Sequence, residues 1–226
     1  MTGGPTTLRP VTASAVPADG RRARGQRSRD AVLTEAVQLA SVAGLEGLSI
    51  ARLAERIDAA KSSVHASFGS KEGLQLATVA RAREILIELV VAPALGAEPG
   101  LERLTALGES WFGYLERDVF EGGCLLCSAS AELDGRPGGP RDAVVAVMGE
   151  WLDFLAQNVR AAVVAGDAAK ETDAGVVAFE LNAIGMAANW HHQLFGGTTA
   201  FVAARTAWAD RLARLDPPRR GRRPTT

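Results

Sequence analysis

Two cysteines three residues apart, Cys124-Leu-Leu-Cys127, are the pair with the most latent chemistry in this chain. Such a pair can be a redox couple or half of a zinc site, since a thiolate is both nucleophile and soft ligand. A redox motif of the thioredoxin kind sits in a strand–helix–strand setting, which the surrounding sequence lacks, and a structural zinc site needs two more ligands. The histidines are His65, His191 and His192. Positions i and i+3 of a helix share a face, so burial as two small hydrophobes accounts for the thiols equally well. Core or pocket lining, a thiol sensor and a metal site thus all stay open for Cys124 and Cys127. His191-His192 turns two rings to different faces of one helix, where one can meet a ligand or partner helix. Nothing reads as catalytic. Glu132 and Asp134 flank a loop with no His nearby in sequence and read as surface charge. Gly122-Gly123 and Gly138-Gly139 lack the pattern of a phosphate-cradling loop. No enzyme activity, cofactor or metal is expected.

A second cluster is polar and partly cationic: Lys61, Ser62, Ser63, His65 and Ser67. On a short helix over about 60–67 they share the outward face, while Ala60, Val64 and Phe68 turn inward. Small polar and cationic side chains on one helical face suit phosphates and base edges. Ile50, Leu53, Ala54 and Ile57 make the preceding helix, 50–57, amphipathic, and Asp58-Ala59 interrupt it. Ser70 then stands as N-cap of the next helix.

This helix-turn-helix pattern, Gly44 to Leu74, resembles the DNA-binding domain of the TetR family of bacterial repressors. The residues carrying the resemblance are Gly44, Ile50, Leu53, Ala54, Lys61, Val64, Phe68, Ser70, Lys71, Glu72 and Leu74, within roughly residues 28–90. Asp58 stands where the family commonly has Gly, Ala60 where it has a Ser or Thr cap, and His65 and Ser67 at two positions it usually fills with aromatics. The resemblance implies a regulator, most simply a repressor, that binds a palindromic DNA operator as a homodimer. It also implies a C-terminal domain with a helix-lined effector pocket and two last helices that pair with those of a second copy. The expected DNA-binding set is Arg27, Ser49, Lys61, Ser62, Ser63, His65, Ser67 and Lys71.

Net charge over the 226 residues is −1 and unevenly spread. Residues 1–30 carry +4, residues 217–226 carry +4, and the stretch between them −9. An acidic body keeps nucleic acid off itself and leaves Arg24, Arg27 and Arg29, beside the first helix, to find phosphates. Residues 1–27 and 217–226 read as disordered basic arm and tail, 28–90 as the DNA-binding domain, and 91–216 as the effector-binding and dimerisation domain. No apolar run is long enough to span a membrane and no signal-peptide core is visible, so a cytoplasmic location is expected.

The remaining apolar positions recur at helical spacing throughout, which predicts an all-α chain of about nine helices. Beyond the motif these are a long helix over 71–91 and others over 100–118, 124–133, 141–165, 173–195 and 198–215. Aromatic and polar residues on these helices, Trp111, Tyr114, Cys127, Trp151, Trp190 and His191, are the candidate lining for a small hydrophobic effector. A filled core is the alternative for the same stripes. Gly185, Ala188, Trp208 and Leu212 are the candidates for the dimer interface. Two rival functions stay open: a thiol-based redox-sensing DNA-binding regulator using Cys124 and Cys127, and an all-helical enzyme or ligand carrier with an accessory DNA-binding motif.

Overall fold

The recurring apolar positions wind into nine helices, with no strand among the described residues. The computed structural model describes residues 20–215, with side chains from Arg29 onward. The N-terminal segment 1–19, the tail 216–226 and the Arg27 side chain lie outside the described residues. No described helix is long and apolar enough to cross a membrane.

Helix α1 (Gly20–Gly47) begins ahead of the start expected at residue 28. It breaks at Gly44 (φ 75°, ψ 164°), a left-handed turn that favours glycine. Helix α2 (Ile50–Arg56) is capped by Ser49, whose hydroxyl accepts from the Arg52 N–H at 3.3 Å. Asp58 takes φ 49°, which a short polar side chain tolerates, so the turn into α3 (Lys61–Phe68) is made without glycine. Ala60 offers α3 no side-chain cap.

Helix α4 (Lys71–Leu86), capped by Ser70, runs on through a π-helical turn, Ile87–Val91, to Ala92–Ala94. Pro93 lacks an N–H and crowds the turn before it, and the widened turn, in which Ala92 N–H donates to Ile87 O, accommodates it. The helix therefore runs through Pro93 to Ala94, three residues past the end expected at 91.

Five helices follow: α5 (Leu101–Glu116), α6 (Leu125–Glu132), α7 (Gly139–Ala165), α8 (Ala174–Phe195) and α9 (Thr199–Ala213). Their stripes meet in a core built on Leu104, Phe112, Trp151, Leu155, Leu181 and Phe201. Helix α4 packs on α1 and on α7, and Arg83 of α4 pairs with Glu150 of α7 at 2.7 Å. It thus belongs to both halves of the molecule.

Candidate functional site

The first candidate site is the outer face of α3. Val64 is buried against α2, and Phe68 is half-buried with the Arg29 guanidinium 5.2 Å from its ring centroid. With the helix anchored this way, Lys61, Ser62, Ser63, His65 and Ser67 are all exposed together on its other side. Ser67 donates to the Ser63 carbonyl at 3.0 Å. An open crevice of about 400 Å³ between α1 and α3 is bordered by Arg29, Ser63 and Ser67.

Two other members of the expected DNA-binding set are committed locally. Ser49 caps α2. Lys71 donates from Nζ to the Glu46 carbonyl at 2.7 Å and to Glu46 Oε2 at 3.3 Å. The Lys71 ammonium holds the Glu46 carboxyl below its usual range, first through that hydrogen bond and then through its charge. Gln75, buried beside it, donates to the Leu45 carbonyl at 2.7 Å. These contacts fix the α1–α2 corner on the start of α4.

Helix α6 holds the same corner from the C-terminal side. The N–H groups of Leu45 and Glu46 donate to Glu132 Oε2 and Oε1 at 2.8 and 2.9 Å. The break at Gly44 exposes these donors, and a Cβ on Gly44 would stand 2.6 Å from Glu132 Oε1. Ahead of α6, Gly122 N–H donates to Ser41 Oγ at 3.1 Å. Residues 122–132 are therefore fastened to α1 at both ends. Nothing in the sequence around Glu132 reveals partners so distant along the chain.

The six effector-lining candidates do not converge. Trp111 and Trp151 are buried in an aromatic core, where Trp111 meets Trp151 edge to face at 5.1 Å and Trp208 at 6.4 Å, and Tyr114 is buried as well. The indole N–H groups of Trp111 and Trp151 are buried without a hydrogen-bond partner. Trp190 is 58% exposed instead, and with Cys127 it borders a mostly apolar groove of about 570 Å³ between α6 and α8, together with Met186 and Leu194. His191 faces a second, alanine-lined groove of about 240 Å³ between α8 and α9.

The four dimer-interface candidates turn inward. Trp208 and Leu212 are buried in the chain's own core, and the Trp208 N–H donates to the Leu104 carbonyl at 3.0 Å. Gly185 lies directly under the Trp111 ring, which a Cβ would meet at 2.1 Å, and Ala188 is buried. Helices α8 and α9 carry apolar residues on two faces, and spacing alone does not say which face a chain keeps for itself. The face left outward on α8 is Val176, Phe179, Ala183, Ala187, Trp190 and Leu194, spaced by three or four residues, with Val202 exposed on α9.

The adjacent histidines part company as expected. His192 leaves the apolar face and bridges the α8–α9 loop to the end of α5. Its Nδ1 lies 2.7 Å from the Gly197 carbonyl and its Nε2 2.7 Å from Asp118 Oδ1. Both partners are acceptors, so only the imidazolium donates to both. The bond to Asp118, then that to Gly197, raises its pKa.

Residues 32–78 match the family described as bacterial regulatory proteins, tetR family, and residues 100–208 the one described as tetracyclin repressor-like, C-terminal domain. The chain belongs to the TetR family. It is a DNA-binding transcription regulator of that family. No curated protein matches it. Among solved structures, a TetR transcriptional regulator from Chloroflexus aurantiacus J-10-FL is 24% identical, with TM-score 0.77 over 86% of this chain and 98% of that one. A TetR-family regulator from Cytophaga hutchinsonii is 20% identical, with TM-score 0.74 over 84% and 95%. AibR, solved with isovaleryl coenzyme A and operator DNA, is 21% identical, with TM-score 0.63 over 83% and 97%. At these identities the likeness to each structure is one of fold. In this TetR-family chain the helix-turn-helix is α2 and α3, and the tetracyclin repressor-like match runs from the loop before α5 into α9.

Proposed function

We propose that this TetR-family protein is a ligand-responsive repressor that binds a palindromic operator as a homodimer and leaves it when a small, largely apolar effector binds. The observation that carries this reading is the face of α3, where Lys61, Ser62, Ser63, His65 and Ser67 are exposed together while Val64 anchors the helix from behind. Two such helices enter successive major grooves about one helical turn apart. The outward stripe of α8 supports pairing. Val176, Phe179 and Ala183 of that stripe, with Val202 of α9, would otherwise leave a hydrophobic band in water, which a second copy covers by helix-to-helix packing. Ala187, Trp190 and Leu194 border the groove between α6 and α8.

The effector is assigned to the groove between α6 and α8. Its lining is apolar with a few polar tips, Cys127, Ser128 and Gln193, as small-molecule sites commonly are. An occupant that pushes on α6 acts on the corner held by Glu132, and so on the orientation of α3. A ligand releases DNA only to the extent that it prefers the displaced arrangement. The test is competition: lipophilic carboxylates, thioesters and drugs titrated against protein bound to a duplex selected from a random pool. Saturable quenching of tryptophan with DNA release over the same concentrations is expected. Quenching without release would refute the switch.

A further inference from the structure

The thiol pair at the head of α6 has a redox chemistry that effector-controlled DNA binding does not call on, although Cys127 also borders the effector groove. Cys124 is the N-cap of α6 and Cys127 lies one turn along, both buried and both reduced. The free N–H groups of the first turn of α6 lie at the open end that Cys124 caps. The Tyr114 hydroxyl, itself buried, hydrogen-bonds the Cys124 sulfur from α5. A sulfur at the start of a helix is placed where unpaired N–H groups favour a thiolate over a thiol, and a second thiol stands three residues on. Among the described residues no further His, Asp or Glu joins the two thiols in a metal-ligating group.

We propose that Cys124 and Cys127 form a dithiol that hydrogen peroxide closes to a disulfide, and that this closure shifts α6 and loosens the protein from DNA. The second half of this inference rests on the operator-binding reading above. The donors hold the Cys124 thiol down at about 7, the bond from Cys127 contributing most, while sharing its proton with Cys124 pushes Cys127 well above its ordinary value. Cys124 is then the attacking thiolate. The peroxide arrives through the groove that Cys127 borders. The Cys124 sulfur attacks one peroxide oxygen, the O–O bond breaks, and the hydroxide that leaves takes up the proton the thiol had shed to solvent. Cys127, giving up its proton, attacks the resulting sulfenic sulfur; the S–S bond forms, the S–O bond breaks, and a second water departs. Two electrons leave the thiols and enter the peroxide. Cys124 caps the helix in an extended conformation (φ −70°, ψ 113°) while Cys127 lies in its first turn, and a disulfide needs Cβ atoms about 3.5–4.5 Å apart, so closure draws the cap and the first turn together.

What moves with the turn is set by its fastenings. Cys124 N–H donates to Asn189 Oδ1 of α8 at 2.9 Å. Ahead of it Gly122 is bonded to Ser41, and at the far end Glu132 accepts from Leu45 and Glu46. A tightened first turn therefore pulls on α1 on either side of Gly44, the corner that places α2 and α3.

The test treats the full chain with hydrogen peroxide, then counts thiols after unfolding, measures the intact mass, and titrates a duplex that the reduced protein selected from a random pool. Expected are two thiols before and none after, a mass lower by two hydrogens with no dimeric product, and affinity lowered about tenfold and restored by dithiothreitol. Cys124→Ser, with Cys124→Ala as a second variant should the first fold poorly, is expected to keep the reduced affinity and lose the response. Glu132→Gln is expected to form the disulfide yet lose most of the change in affinity. Two thiols surviving peroxide, or a disulfide with unchanged affinity, would overturn the proposal. A reduced protein that enriches no duplex would overturn the operator reading, and the DNA step with it, whatever the thiol count.

Discussion

Glu132 joins two parts of the molecule with a single carboxylate, taking both N–H donors that the break at Gly44 leaves free. Hydrogen bonds to a charged group contribute roughly 1.5–3 kcal/mol each, and here one is part-buried and the other exposed. Glu132→Ala is therefore expected to lower stability by about 2–3 kcal/mol, read as a shift of the urea midpoint. An unchanged midpoint would mean the corner is held by Lys71 and Gln75 alone. His192 gives a pH dependence of definite sign. Its pKa is raised in the fold by Asp118 and the Gly197 carbonyl, so its contribution is complete below the ordinary value of 6.5 and is lost as pH rises through the raised one. The urea midpoint is expected to fall between about pH 6 and pH 8 by more in the native chain than in His192→Gln. Equal slopes would remove the imidazolium from the account. Neither residue's partners could be read from the sequence, since Asp118 and Glu132 find theirs 74 to 87 positions away.

At the scale of elements, periodicity carried nearly everything. The stripes on α5, α7, α8 and α9 place each helix within a few residues of its observed bounds, because each repeats often enough to fix a face. The left-handed turn at Asp58 follows from its short polar side chain. Other features depend on what lies opposite a helix. Lys71 reads as a free cation in the sequence and proves bound to Glu46. The π turn before Pro93 needs the packed neighbours of α4 to keep the helix going past it. Two variants separate support from contact. Gly185→Ala sets a methyl into the Trp111 ring and is expected to cost about 1–3 kcal/mol of stability, as overpacking does. Lys61→Ala and His65→Ala on the exposed face of α3 are expected to leave the urea midpoint within about 0.5 kcal/mol. The same two variants should weaken binding to a selected duplex. Full binding by both variants would move the DNA contacts off α3.

For the whole molecule, the division between inward and outward apolar faces was the part spacing could not supply. Trp208 and Leu212 belong to the chain's own core, so Trp208→Ala is expected to destabilise the fold by about 3–5 kcal/mol, which is not a dissociation effect. Phe179→Glu, on the outward stripe, is expected to leave the fold intact and to sediment as a monomer, and the native chain is expected to sediment as a dimer at the same concentration. A dimeric Phe179→Glu protein would place the interface elsewhere. The central claim is that α3 reads DNA as one of a symmetric pair, and selection of bound duplexes from a random pool tests it most directly. Expected is an enriched sequence with two-fold symmetry and half-sites about one helical turn, roughly 10 base pairs, apart. Enrichment of no sequence, or of one unrepeated half-site, would contradict it.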